Sequence, residues 1–161
     1  MKCHQCGIDH LDDELELTFK RPDATAEMSE DEREARVQEN RDLTVIDGQR
    51  FFIRAVLPLP VIGRPNDYAL GIWVEVAQAA FERVYALWDQ EDQASEPVFA
   101  AVLANTVPSL PSTLDLPVTL SLTGPTTPPT LQVLPAEHPL HGEQSAGITP
   151  HRIYEYNAFF R

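Results

Sequence analysis

An α+β fold with a mainly antiparallel sheet and two to three helices is what the sequence predicts, led by a zinc-knuckle-like CxxC segment at the N-terminus. Three observations carry that expectation. Apolar residues recur with period two in several separate runs, the mark of half-buried strands. Hairpin-type turns join neighbouring runs, and no repeated strand–helix–strand unit occurs, which argues against a parallel sheet. Helical spacing is confined to three stretches of the 161 residues. That length suits a single domain over 1–161, since domains cluster at about 100–150 residues.

The first helix starts at Ser29. Ser29-Glu30-Asp31-Glu32 is a capping box, in which the hydroxyl bonds a downstream amide while Glu32 reaches back. Acids crowd its positive end, Glu32 and Arg36 stand one turn apart, and the run should fade near Arg41-Asp42. Residues 43–47 and 50–57 read as strands joined at Asp47-Gly48, a pair that supplies the positive φ angles of a hairpin turn. Pro58-Leu59-Pro60 should end the pairing, because proline donates nothing to a ladder. Residues 68–76 form a third alternating strand.

Residues 77–92 make the strongest helix, with Phe81, Val84, Tyr85 and Trp88 on one apolar stripe. The pattern over 98–103 fits a short helix or a strand equally well. Residues 116–122 alternate as a half-buried strand that Pro117 places at an edge or near its start, and after a turn at 124–129, Leu131 and Val133 define its partner. Thr149-Pro150 opens a last helix, a capping hydroxyl before proline at the first helical position. Ile153, Tyr156 and Phe160 supply its buried side.

Charge narrows the function classes. The chain carries 12 Lys and Arg against 25 Asp and Glu, a formal net charge of −13. Such a chain is unsuited to sequence-independent nucleic-acid binding, which needs cations on phosphates, and to docking on anionic lipid. No run approaches the roughly 20 apolar residues that span a bilayer, and Met1-Lys2-Cys3-His4 lacks the apolar core of a secretory signal. The expectation is a cytoplasmic protein with reduced thiols.

The chemistry is concentrated in Cys3-His4-Gln5-Cys6-Gly7-Ile8-Asp9-His10. Two thiolates three residues apart grip one ion from a tight turn, and His10 follows at a spacing that allows a third bond. Zinc takes four such ligands in tetrahedral array. His138, in Glu137-His138-Pro139-Leu140, is the favoured fourth ligand if that stretch is a loop, with His141 next and His4 and His151 behind. The expectation is a structural zinc that packs residues 1–14 on the C-terminal half. The competing readings are two incidental cysteines near a chain end and an open hydrolytic site of Cys3, Cys6, His10 and water. Redox chemistry is disfavoured, because only Met1-Lys2 precede the motif where a thioredoxin-like site needs a strand.

Three other features invite a role. Trp73 faces away from an apolar row and is either a second core face or an exposed anchor for a partner. Glu143-Gln144 follows the favoured histidine and is placed to orient it. Arg33, Arg36, Arg50 and Arg54 suit an anion clamp, but in so acidic a chain internal pairing is the simpler reading. No Ser-His-Asp order, phosphate loop or dinucleotide glycine pattern is present.

Taken in order, these motifs resemble one family. CxxCGxxH, Glu32-Arg33 with Arg36, Val45-Ile46-Asp47-Gly48, Phe51-Phe52-Ile53-Arg54, Gly71-Ile72-Trp73-Val74, Pro111-Ser112-Thr113-Leu114, His138-Pro139-Leu140, Glu143-Gln144 and Gly147-Ile148-Thr149 are similar to the bacterial "domain of unknown function 2199" group. The resemblance runs from Cys3 almost to the C-terminus. It implies a fold shared by small bacterial proteins and no activity, and it favours His138 over His141. The chain departs from the pattern at Ala100-Ala101-Val102 and at Pro117.

The functional expectation is a non-catalytic, zinc-stabilised module that binds another protein. An immunity-type protein, whose acidic surface steers onto a basic toxin, and a metal-dependent hydrolase are the alternatives. Neither nucleic acid nor membrane is an expected partner.

Overall fold

The computed structural model describes residues 16–160. Seven strands lie in one sheet: β1 (Val37–Glu39), β2 (Leu43–Ile46), β3 (Arg50–Leu59), β4 (Tyr68–Val76), β5 (Phe99–Leu103), β6 (Pro117–Ser121) and β7 (Thr130–Val133). Each pairs antiparallel with the next. The last five form a meander, and an odd meander leaves its first and last strands pointing the same way. Closure therefore has to be parallel. Val56 of β3 meets Thr130 of β7 in parallel, and the Val56 N–H donates to the Pro129 carbonyl at 2.9 Å. The result is a five-strand barrel extended by β1 and β2, a mixed sheet where antiparallel pairing dominates.

Alternation along the strands fills the barrel. Ile53, Ala55, Leu57 and Leu59 of β3 turn inward against Leu70, Ile72 and Val74 of β4, with Leu103, Leu120, Leu131 and Val133 completing the core. The other face of β2 to β4 is apolar too. Ile46, Phe52 and Trp73 form a second core with Ala104, under Phe19, Ala24, Met28 and Val37. Phe19 comes from the strap 17–21, Ala24 from α1 (Asp23–Ala26), Met28 from the link to α2 (Glu30–Arg36), and Val37 from the start of β1. The strap runs beside β4 at Gly71, whose N–H donates to the Leu17 carbonyl and whose carbonyl accepts from the Phe19 N–H, each at 2.9 Å.

Only glycine allows that approach. A Cβ at position 71 would stand 2.8 Å from the Thr18 side chain. Gly71→Ala is expected to lower stability by about 1–3 kcal/mol, the usual range for overpacking. A urea midpoint equal to that of the parent would show that the strap yields freely.

Local signals are realised where they were read. The Ser29 hydroxyl accepts the Glu32 N–H at 3.2 Å, although the Glu32 carboxylate reaches back to that hydroxyl rather than to the cap amide. Asp47 and Gly48 both have positive φ, and Gln49 N–H closes the turn on Ile46 at 2.9 Å. Thr149 caps α5 (Pro150–Asn157), accepting the Arg152 N–H at 3.2 Å, and Ile153 and Tyr156 are buried as expected. The side chain of Phe160 lies outside the described residues.

Elsewhere tertiary contacts decide. The helix read to Arg41 stops at Arg36, because β2 offers Val37–Glu39 a partner strand. Pro58 does not end β3: it pairs with Ala69. Val56 turns its N–H toward β7, and Pro58, two residues on, faces the same side beyond the single β3–β7 pairing. Its missing donor is therefore not needed. The helix expected over 77–92 is α3 (Gln78–Leu87), and buried Gln93 folds back to cap it, donating to the Leu87 and Trp88 carbonyls at 2.9 Å each. Tyr85 leaves the apolar stripe and is 67% exposed, while Val84 is fully buried. The undecided stretch is β5. The stretch read as a loop after His138 is α4 (Pro139–Ala146), which brings the helices among the described residues to five. Among the described residues no helix is long and apolar enough to cross a membrane.

Candidate functional site

The expected site residues of the second half meet at the corner of α4 and α5. His138 is the N-cap of α4, with Pro139 at the first helical position. Its Nδ1 accepts the Leu140 N–H at 3.1 Å. Its Nε2 lies 3.0 Å from the Pro111 carbonyl oxygen and 3.2 Å from that of Ser112. Carbonyl oxygens only accept, so Nε2 carries the proton and Nδ1 the lone pair. Both ring nitrogens are thus engaged with backbone. Service as a metal ligand requires one of these bonds to be given up. His141, one residue past Leu140, makes no ring hydrogen bond among the described residues.

Gln144 and Glu143 face different neighbours. The Gln144 Oε1 accepts the Val133 N–H at 2.7 Å, while its Nε2 donates to the carbonyls of Leu131 (2.9 Å) and Pro58 (3.3 Å). One amide therefore spans the line where β7 closes on β3. The Glu143 carboxylate accepts from Arg152 Nε at 2.7 Å and from the Tyr156 hydroxyl. The Arg152 guanidinium lies 4.3 Å over the Tyr156 ring, which in turn stacks on Tyr68 at 5.5 Å between centroids. The Tyr68 hydroxyl donates to Asn157 Oδ1 at 2.8 Å and accepts the Leu17 N–H.

This corner is a tie between α4, α5, β4 and the strap, and its phenols hold their protons tightly. Burial, then the bond to the Glu143 carboxylate, pushes the Tyr156 phenol upward. Burial pushes the Tyr68 phenol up to about 12. The unfolded chain releases these protons at about pH 10, so the folded state is the tighter proton binder. Their contribution to stability is intact below pH ~10 and is lost as pH rises toward the folded values. Tyr68→Phe should make alkaline unfolding shallower over that window. An unchanged profile would refute the assignment.

Trp73 is 1% exposed, so its ring is core and the reading as an exposed anchor is corrected. Its indole N–H donates to the Phe19 carbonyl at 3.0 Å. The arginines follow the internal reading. Arg36 pairs with Asp47 (2.8 Å), Arg50 with Glu75 (2.8 Å) and Arg54 with Asp42 (3.1 Å), while Arg33 donates to the Thr25 and Met28 carbonyls at the end of α1.

Cys3, Cys6 and His10, and with them the packing of 1–14, lie outside the described residues. Among the described residues no three His, Cys, Asp or Glu side chains are grouped to hold a metal. Sequence reasoning missed Arg152 and buried Asn105. Arg152 had a signal, as the first cation after Arg83; Asn105 had none, because its partners are distant in sequence.

A family model described as an uncharacterized protein conserved in bacteria, DUF2199, matches residues 2–148. The chain belongs to that family. No curated protein and no solved structure matches it. The DUF2199 match takes in Cys3, Cys6, His10, His138, Glu143 and Gln144 but ends before α5. The partners of Glu143 in this DUF2199 member, Arg152 and Tyr156, therefore come from beyond the matched residues.

Proposed function

We propose that this DUF2199 member is a non-catalytic, cytoplasmic protein-binding module braced by zinc on Cys3, Cys6, His10 and a histidine of the α4 region. One observation carries the binding part. Between Arg83 and Arg152 the chain has no Lys or Arg, so β5, β6, β7 and the loops that join them contribute no cation to the barrel surface. Leu114 and Leu134 are 45% and 41% exposed on that side. The Leu134 N–H donates to the Pro117 carbonyl at 3.2 Å, which sets Leu134 beside the loop that carries Leu114 and Asp115. Apolar area on a surface whose own charged residues are the acids Asp115 and Glu137 suits a partner with a basic face, where charge speeds encounter and apolar burial retains the complex. A toxin-neutralising role is the specific version of this reading with a cationic partner.

The zinc part is supported by the donor set, two thiolates and imidazoles. His141 supplies a ring nitrogen without breaking a bond; His138 supplies one only by releasing the Leu140 amide or the two carbonyls.

The test has two arms. Capture from an extract of the native bacterium should retain one stoichiometric basic protein, released by salt and lost with Leu114→Asp/Leu134→Asp. A double variant that captures the same protein would overturn the surface. Elemental analysis should find one zinc per chain, and a strong chelator should lower the melting midpoint. His141→Ala and His138→Ala then distinguish the fourth ligand. Zinc held by three side chains and a water would instead favour the hydrolase. No zinc and an unchanged midpoint would remove the metal altogether.

A further inference from the structure

Four of the chain's 12 Lys and Arg line one cleft: Lys20 and Arg21 from the strap, Arg41 from the β1–β2 turn, and Arg54 from β3. The cleft, about 610 Å³, lies against the outer face of the β1–β3 sheet, beside Phe19 and Asn40. Its volume is that of a small-molecule site, which typically measures about 300–1,000 Å³.

Two of these cations are neutralised within the fold. Arg21 pairs with Glu39 at 3.3 Å and Arg54 with Asp42 at 3.1 Å. Lys20 and Arg41 are not: among the described residues neither side chain has a hydrogen bond or ion pair. In a chain with 25 acids this is unexpected. Arg36, Arg50, Arg83 and Arg152 each hold a carboxylate.

We infer that this cleft binds the phosphoryl group of a small phosphate ester, held between Lys20 and Arg41 with Arg21 and Arg54 beneath. A phosphate monoester carries about −1.5 to −2 charges at pH 7, which two unpaired cations balance. A carboxylate would leave one of them over. Arg supplies a planar fork and Lys a point charge, the pairing that oxyanions of phosphorus use. A long polyanion is disfavoured by the net charge of −13. Arg41 also borders a second cleft, where Tyr85 and Trp88 stand beside Asp42 and Asp89. This inference stands independently of the zinc and of the acidic face.

Calorimetric titration of the full chain with inorganic phosphate, and separately with a nucleoside monophosphate, tests it. Saturable binding is expected for both, and weaker as salt rises. Lys20→Ala/Arg41→Ala should weaken binding at least tenfold, as loss of two charged donors implies, while the melting midpoint stays put because neither side chain has a hydrogen bond or ion pair to lose among the described residues. Arg83→Ala, at an exposed pair with Glu96 outside the cleft, should leave binding unchanged. No saturation by about 20 mM phosphate, well above a millimolar dissociation constant, would overturn the inference. So would equal binding in the double variant, or an equal loss in Arg83→Ala.

Discussion

Gln144→Ala is expected to lower stability by about 2–4 kcal/mol, the cost of leaving several buried backbone groups without partners. Its side chain is the only one found bonding both β3 and β7 among the described residues, through the Pro58 carbonyl on one side and Leu131 and Val133 on the other. Direct β3–β7 pairing is limited to Val56 with Thr130. The amide does what further ladder bonds do in an ordinary sheet. Gln144→Glu separates this account from simple packing, because the shape is kept. A carboxylate still accepts from Val133 but turns an acceptor toward two carbonyls, so the loss should match or exceed that of alanine. A stable Gln144→Glu protein in a urea melt would refute the role given to the seam.

Asn105→Ala should cost about 3 kcal/mol, since one buried and two partly buried groups lose their partner at once. Fully buried Asn105 accepts the Trp73 N–H at 2.9 Å and donates to the Arg21 carbonyl (2.8 Å) and to Asp23 (3.0 Å). It pins the outer layer to the barrel. Hydrogen exchange should therefore accelerate first at the amides of the strap and α1, with the barrel strands following only on global unfolding. Uniform acceleration across the chain would mean that Asn105 supports the barrel core instead.

The parts of the fold that could be read in advance are those written within a few residues. Ser29 with Glu32, Asp47-Gly48 and Thr149-Pro150 act across one turn of chain, and each forms as its chemistry requires. What escaped is long-range. Val37 leaves the helix only because β2 lies ready to pair. Pro58 stays in a strand only because no bond is asked of it on that side. α4 went unread because histidine is not a customary cap and Gly142 weakens the helical pattern. Candidate residues fared similarly. Glu143 and Gln144 were picked out by position after a histidine, yet their partners come from β3, β7 and α5, contacts that no local spacing encodes. Trp73 looked two-sided because both faces of its strand are covered, one by the barrel interior and the other by a strap donated from earlier in the chain.

Closure through one parallel contact sets an order of assembly. β3 and β4 are neighbours in sequence and can zip as soon as both exist, whereas β3 finds β7 only after the whole meander has been laid down. Until then the far half of β3 offers bare backbone to any passing strand. A ribosome making this protein must therefore deliver the chain through Gln144 before that vulnerable flank is shut.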